Sequence, residues 1–355
     1  MKSVLVYHDL GAPSHYRALR YLCEKQGARL QFAEFAFVKA GVKAALKANG
    51  PALRRQLWNA FVYLGLLFRL NRPGVIVLGI APFDWRMITL IPLMWGRTVH
   101  LHTSWPYWDG SFDAMNPRFS WVRKVWRKVL SRHVSHVYFV TEAARQNYIA
   151  AGFSLRGSSV VRHSVDAAIY HCAGRSKCVA PFRVGYVGRL EDQKGIHQFL
   201  DIARTLRGTD FEFVVAGAGP ALPAVQAAHE LGEVTYLGQL SEQTALASLY
   251  RSLAVLLLPS RKAPRWEELF GMVIIEAAAC GVYPVVSDHI GPREVVAHLG
   301  AGSVFPEADF VQRTLAFLRA LPNGLDVMEA CSERAAAQYA VAALSKEWAP
   351  CLAVA

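Results

Sequence analysis

Short apolar runs recur along this chain near positions 2–8, 29–36, 74–80, 97–102, 135–140 and 158–163, and again near 182–188, 211–216, 233–237, 253–258, 283–287 and 301–305. Each is rich in Val, Ile, Leu and aromatic residues and is bounded by Gly, Pro, Asn or Asp, the signature of a strand. Longer stretches with apolar residues at helical spacing separate most of them. Alternation of this kind predicts an α/β protein of two doubly wound parallel sheets. Between the two series lies His171–Cys178, polar and Gly-containing, which reads as an interdomain linker. No fixed-period repeat or low-complexity tract interrupts the pattern.

One unit of the second series carries the densest chemistry. A strand over 254–258 ends at Pro259-Ser260, and Glu268-Leu-Phe-Gly-Met-Val-Ile-Ile-Glu276 follows before Gly281 and the next strand. The pattern is strand, loop, helix, Gly stop, strand, with Gly271 opening the helix and Gly281 closing it. A helix start at Phe270, Gly271, Met272 and Val273 presents free backbone N–H groups and a positive dipole end, a natural diphosphate site. Eight helical residues span roughly 12 Å, about the length of a sugar, a diphosphate and a ribose. One carboxylate then reaches sugar hydroxyls and the other a ribose diol. An ordinary surface helix with two unrelated acids fits the same spacing.

Two neighbouring strand ends add to the case. The strand over 183–187 runs into Gly188-Arg189-Leu190, with Lys194-Gly195 at the next helix start, so two cations stand where phosphates need neutralising. The strand over 211–216 ends in Gly217-Ala218-Gly219-Pro220, where missing side chains let a ligand approach the backbone. Solvated surface charges and a routine Gly turn are the plain alternatives.

Taken in order, Val187-Gly-Arg-Leu…Lys194-Gly195, Ala216-Gly-Ala-Gly-Pro220, Leu237-Gly-Gln-Leu240 and Pro259-Ser260…Glu268-Leu-Phe-Gly271…Glu276-Ala277…Gly281…Pro284-Val-Val286 closely resemble the retaining glycosyltransferases of family 4. Val137–Glu142 and His163-Ser-Val-Asp166 resemble that family's N-terminal segments more faintly, with His163 in place of Asn. The resemblance implies a GT-B fold: two Rossmann-like domains facing a cleft, an acceptor-side domain over 1–170 and a nucleotide-sugar domain over 178–337, with a C-terminal helix near 338–355 crossing back. It implies a nucleoside-diphosphate sugar, UDP- or GDP-linked, as donor substrate, with no cofactor. Arg189, Lys194, Gly188, Gly217 and the Phe270–Val273 amides would bind the donor, Glu276 its ribose, and Glu268 with His102 the reacting sugar. Gly11 stands where family members often carry a Gly pair, so its donor contact is weakened.

In the first series, the strand end His100-Leu-His102-Thr103-Ser104 leads into Trp105-Pro-Tyr107-Trp108-Asp109-Gly110. Sugars stack their C–H faces on aromatic rings, so Trp105, Tyr107 and Trp108, with Asp109 and Asp113 for hydroxyls, make a candidate acceptor site. An aromatic plug on the domain's own core fits equally, and His102 has a structural alternative as a hydrogen-bonded core histidine.

Charge changes the picture further. The chain carries +12, yet residues 1–175 hold 24 Lys/Arg against 8 Asp/Glu, or +16, whereas residues 176–355 are net −4. A basic amphipathic helix over 118–132, with Phe119, Val122, Val125, Trp126, Val129 and Leu130 on one face, joins Lys39, Lys43, Lys47, Arg54 and Arg55 in suggesting peripheral contact with an anionic membrane and a saccharide or lipid-linked acceptor. No nucleic-acid groove is expected, because the aromatics cluster at a strand end rather than interleaving with Lys/Arg. The six cysteines form no C-x-x-C and no zinc spacing, the N-terminus has no signal-peptide core, and no Asp-x-Asp occurs. The expectation is a reduced, cytoplasmic protein at the inner face of a membrane, with a metal-independent donor site. The rivals are a sugar-nucleotide epimerase, a non-enzymatic nucleic-acid binder and an inactive binding subunit.

Overall fold

Each of the twelve apolar runs forms a strand in the computed structural model. The structure describes residues 2–9, 13–70, 72–111, 120–175, 180–264, 266–321 and 327–353. The strands are β1 (Ser3–His8), β2 (Arg29–Glu34), β3 (Val75–Gly79), β4 (Thr98–Thr103), β5 (Val134–Phe139), β6 (Ser158–Val160), β7 (Phe182–Val187), β8 (Phe211–Ala216), β9 (Thr235–Tyr236), β10 (Val255–Leu258), β11 (Tyr283–Ser287) and β12 (Ser303–Phe305). The helices are α1 (Arg17–Lys25), α2 (Phe37–Leu46), α3 (Gly50–Leu67), α4 (Met87–Met94), α5 (Ser120–His133), α6 (Glu142–Ala150), α7 (Ile196–Thr205), α8 (Leu222–Glu230), α9 (Gln243–Ser252), α10 (Met272–Ala279), α11 (Ile290–Leu299), α12 (Phe310–Arg319), α13 (Val327–Tyr339), α14 (Val341–Ser345) and α15 (Pro350–Ala353).

Contacts divide the chain into two units: Met1–His163 with Leu344–Ala355, and Ser164–Ala343. The described part of the polar 171–178 stretch lies in the second unit. The first unit's sheet runs β2-β1-β3-β4-β5-β6, and the second's β12-β11-β10-β7-β8-β9. Every pairing in both sheets is parallel; Leu5, for example, sits opposite Gln31 on one side and Ile76 on the other. Covered on both faces, the central strands need apolar residues at every position, which is why β3 and β10 are buried throughout.

In an open parallel sheet, ligands sit beyond the carboxyl ends of the strands where the strand order reverses. That point falls between β1 and β3 in the first unit and between β7 and β10 in the second. Local chemistry fixes the flanking helices. Asn49 caps α3 by accepting from the Ala52 amide at 3.0 Å, and Thr141 caps α6 by accepting from the Ala144 amide at 3.2 Å.

The apolar face of α5 is not available to lipid. Val122, Trp126, Val129 and Leu130 are buried in the first unit's core, where Trp126 donates its indole N–H to the Asp84 carbonyl at 3.0 Å. Phe119 lies outside the described residues. Lys124, Arg127 and Lys128 stay exposed, but Arg127 is spent on the Ala151 and Gly152 carbonyls at 2.6 and 2.7 Å.

Candidate active site

The loop between β10 and α10 brings together residues that are far apart in sequence. Lys194, in the turn after β7, reaches Glu268 with Nζ 2.5 Å from Oε2. The two side chains are 18% and 11% exposed, so the pair is shielded from most water screening. The Trp266 ring lies under the ammonium at 4.9 Å. The Ser260 hydroxyl donates to the same carboxylate oxygen at 3.4 Å, and the Glu268 amide donates to His289 Nδ1 at 3.3 Å. Glu268 is therefore held through both its side chain and its backbone.

Eight residues on, Glu276 is buried on α10 and accepts from the Tyr250 hydroxyl at 3.2 Å. Burial, and then the Glu276 charge, push the Tyr250 phenol well above its ordinary range, so it remains a neutral donor. Between the two carboxylates, Gly271 adopts φ +82° and α10 begins at Met272. A side chain there is strained by the backbone angle, and its Cβ would stand 2.7 Å from Ile274 Cδ1. The first-turn amides of Met272 and Val273 have no helical partner by construction, and Phe270 is buried beside them.

Arg189 is placed differently from Lys194. It is exposed and pairs with Glu191 at 2.9 Å, with no contact to Glu268. It borders a cavity of about 240 Å³ over the ends of β7, β8 and β9, together with Gly188, Gly217, Gln239, Leu240 and Leu246. Gly217 lets the ends of β7 and β8 approach closely beside it, since a Cβ on it would lie 1.8 Å from the Gly188 carbonyl oxygen. Ser260, Trp266, His289 and Tyr250 were not singled out from sequence. Only Ser260 stood inside a quoted motif, and the others had no local signal.

In the first unit, His102 at the end of β4 is buried, with Nδ1 3.0 Å from the Tyr16 hydroxyl. Trp348, from the C-terminal segment of that unit, covers it at 5.3 Å between ring centroids. Burial, then His15 and His8, hold its pKa well below the ordinary imidazole range, so the ring is neutral. Its Nε2 is buried with no hydrogen-bond partner among the described residues. If Tyr16 donates to Nδ1, Nε2 carries the proton and is a vacant donor. His15 and His163 lie against each other at 4.3 Å nearby.

The aromatic loop divides. Trp108 is 1% exposed and packs on Tyr148, Phe153 and Trp126 in the core. Its indole N–H is satisfied by the Trp105 carbonyl at 2.8 Å. For Trp108 the plug alternative holds, because a fully covered ring has no face left for a sugar. Trp105 and Tyr107 are half-buried against the same core. Asp109 is exposed and closes a turn by accepting from the Ser111 amide and hydroxyl at 2.9 and 2.7 Å, bonds that lower its pKa. Gly11 and Asp113 lie outside the described residues.

Residues 179–338 match the family model for glycosyl transferases group 1. Glycogen synthase of Mycobacterium tuberculosis is 34% identical over 146 residues, 39% of this chain and 34% of that one. D-rhamnosyltransferase WbpZ of Pseudomonas aeruginosa is 29% identical over 219 residues, 54% of this chain and 55% of that one. The chain thus spans about a third to a half of the length of these curated relatives. Among solved structures, sucrose-phosphate synthase of Thermosynechococcus elongatus superposes with a TM-score of 0.72 at 15% identity, covering 99% of this chain and 98% of that one. Anabaena Alr3699/HepE in complex with UDP does so at 0.67 and 17%, covering 99% and 100%. At such identities the superpositions speak for the fold, and the motif-bearing unit speaks for the family. Over residues 179–338, a little under half of its length, the chain is similar to the glycosyl transferases group 1 family, and it has a GT-B-like fold.

Proposed function

We propose that this protein is a retaining, metal-independent glycosyltransferase that moves a hexose from a nucleoside-diphosphate sugar to a hydroxyl of a saccharide or lipid-linked saccharide. The observation that carries the reading is the β10–α10 unit. Lys194 and Glu268 are clamped together at one end, Glu276 is held by Tyr250 at the other, and a left-handed Gly271 opens a helix between them. All of this stands at the reversal point of the sheet, where this topology binds nucleotides.

The roles follow from the chemistry. The α10 amides and the Lys194 ammonium stabilise the negative charge that grows on the departing diphosphate. Glu276 accepts from a ribose diol, and Glu268 accepts from hydroxyls of the sugar whose bond breaks. Arg189, beside the 240 Å³ cavity, contributes at its rim toward the nucleoside. The family resemblance assigns His102 to the donor sugar, and its vacant buried nitrogen suits that task. No covalent nucleophile is needed if the departing phosphate accepts the acceptor's proton. With Trp108 committed to the core, acceptor contacts fall to Trp105, Tyr107 and Asp109. Contact with an anionic membrane is supported by the +16 charge of residues 1–175. A cytoplasmic location at the inner face is part of the same proposal.

UDP donors come first in the test, because Alr3699/HepE was solved with UDP-glucose; GDP donors follow. Release of nucleoside diphosphate is measured with and without saccharide acceptors. Acceptor-dependent release supports transfer. Interconversion of the sugar with no diphosphate released identifies an epimerase instead. Turnover is expected to survive EDTA, and loss restored by manganese overturns the metal-independent site.

A further inference from the structure

Between Phe35 and Phe83 the chain carries seven Lys/Arg and no Asp or Glu. Most of this stretch is the α2–α3 hairpin. Phe37 packs on Tyr63 at 5.6 Å, and Gly41 lies against Gln56, so the helices run antiparallel. The face of α3 bearing Gln56, Asn59, Val62 and Leu66 is buried. On the opposite face, Leu57, Phe61, Leu64 and Phe68 follow one another at helical spacing and are exposed, Phe61 by 65% and Phe68 by 67%. Helix α2 adds Val38, Val42 and Leu46, the last 83% exposed. Trp58 stacks on Phe61 at 5.7 Å, so two aromatic rings stand together in solvent. Single exposed apolar residues need no explanation, but contiguous stripes on a soluble surface mark an interaction site.

A second observation says what the site takes. Just past α3, a cavity of about 260 Å³ is lined by Arg69, Arg72, Trp95 and Arg97. Arg97 is anchored to the Leu66 and Leu93 carbonyls, both at 2.5 Å. Burial, then Arg69 and Arg72, lower its pKa, so three like charges are crowded together. The lining of this cavity carries three arginines and no carboxylate, which suits it to an anion.

We infer that the α2–α3 hairpin is the docking surface for an anionic phospholipid bilayer, its apolar stripes entering the acyl boundary and the Arg69–Arg72–Arg97 cavity receiving a lipid phosphate. The inference rests on the membrane contact proposed above and gives it a place; it does not depend on the transfer reaction. A second copy of the chain is the poorer occupant, because it would set two strongly basic stretches against each other. The hairpin lies on the surface rather than spanning it: among the described residues, no helix is long and apolar enough to cross a membrane.

The test is co-sedimentation of the full chain with vesicles of phosphatidylcholine, with or without phosphatidylglycerol, at low and high salt. Wild type is expected to pellet with the anionic vesicles and to be released by salt. Phe61→Glu with Phe68→Glu, and separately Arg69→Ala with Arg72→Ala, should weaken partitioning. For the arginine pair the loss is about 25-fold, from roughly five-fold per basic residue at an anionic surface. Lys124→Ala with Lys128→Ala, on the exposed side of α5, should lose less than either hairpin pair. Far-UV circular dichroism checks that each variant is folded. If wild type pellets in no condition, the membrane contact and the inference both fall. If wild type pellets and the hairpin variants pellet equally, the contact stands and the hairpin is the wrong surface. A wild-type dimer on gel filtration that Phe61→Glu dissolves, with vesicles ignored, assigns the face to a second copy and overturns the inference. A nucleotide-induced thermal shift, read in parallel, reports on the donor site alone.

Discussion

Lys194 is paired with Glu268, and this sets opposite expectations for removing either partner. Lys194→Ala deletes a cation that the diphosphate needs. It also leaves the Glu268 carboxylate mostly buried, with Ser260 as a long 3.4 Å side-chain donor. A charge-assisted hydrogen bond contributes about 1.5–3 kcal/mol, so nucleoside-diphosphate affinity should fall roughly ten- to hundred-fold. The unliganded protein should melt several degrees lower for the same reason, at about 2–4 °C per kcal/mol for a unit of this size. Glu268→Gln keeps the shape but removes the charge that competes for Lys194. Its affinity for free nucleoside diphosphate should hold or rise several-fold, while turnover collapses because Glu268 serves the reacting sugar. Titration calorimetry with UDP and GDP, beside steady-state release assays, reads both quantities. Arg189→Ala is the internal control: exposed and paired with Glu191, it should cost less affinity than Lys194→Ala. The reasoning is wrong if Lys194→Ala binds nucleotide like wild type, or if Glu268→Gln loses as much affinity as Lys194→Ala.

At the other end of α10, Glu276→Gln should raise the donor KM with a smaller change in kcat, since a ribose does not change in the transition state. Tyr250→Phe removes the hydroxyl that holds Glu276 and should shift KM in the same direction by less; a kcat-only effect in either variant would reverse the assignment of the two carboxylates. Thermal stability should also decline below about pH 6.5, because the first unit keeps histidines neutral by burial: His8 and His100 are lowered to about 4, and His102 and His163 well below the ordinary value. The unfolded chain takes up protons at these sites before the folded one does, so each costs about 1.4 kcal/mol per pH unit as pH falls from 6.5 toward its folded value. For His8 and His100 the window closes near pH 4; melting curves that are flat from pH 7.5 to 5 would contradict it.

The strands were legible because parallel sheets covered on both faces demand short, uniformly apolar runs, and such runs stand out between Gly and Pro. The order of phosphate-facing motifs was legible for a related reason: each motif sits at a strand end, and strand ends are where the chain must turn. The partners that hold the carboxylates were not legible. Lys194 and Glu268 are 74 positions apart, and Tyr250 and Glu276 are 26 apart on different helices. Nothing local in the sequence sets those distances; they follow from β7 pairing with β10 and from α9 packing on α10. His102 was singled out at its strand end, but its grouping with His8, His15 and His163 was not legible, since the four come from separate segments.

The two amphipathic helices of the first unit show where pattern alone stops. Both α5 and α3 carry apolar residues at helical spacing beside basic ones, and from composition α5, with Trp121 and Trp126, is the more persuasive membrane helix. Packing reverses that order. The stripe Val122, Trp126, Val129 and Leu130 is consumed by the core, leaving Trp121 as the exposed large apolar side chain of α5. Helix α3 has apolar residues on more than one face. It buries one through Val62 and Leu66 and leaves Leu57, Phe61 and Leu64 over, with Phe68 just past its end. A helix with a single apolar stripe has nothing to spare once it joins a core, whereas one that is apolar nearly all round must bury the remainder elsewhere. For α3 that remainder stands beside Arg69 and Arg72 in a stretch without a single carboxylate. The excess of apolar surface and the excess of positive charge therefore point to the same partner, and neither is required by the donor chemistry of the second unit.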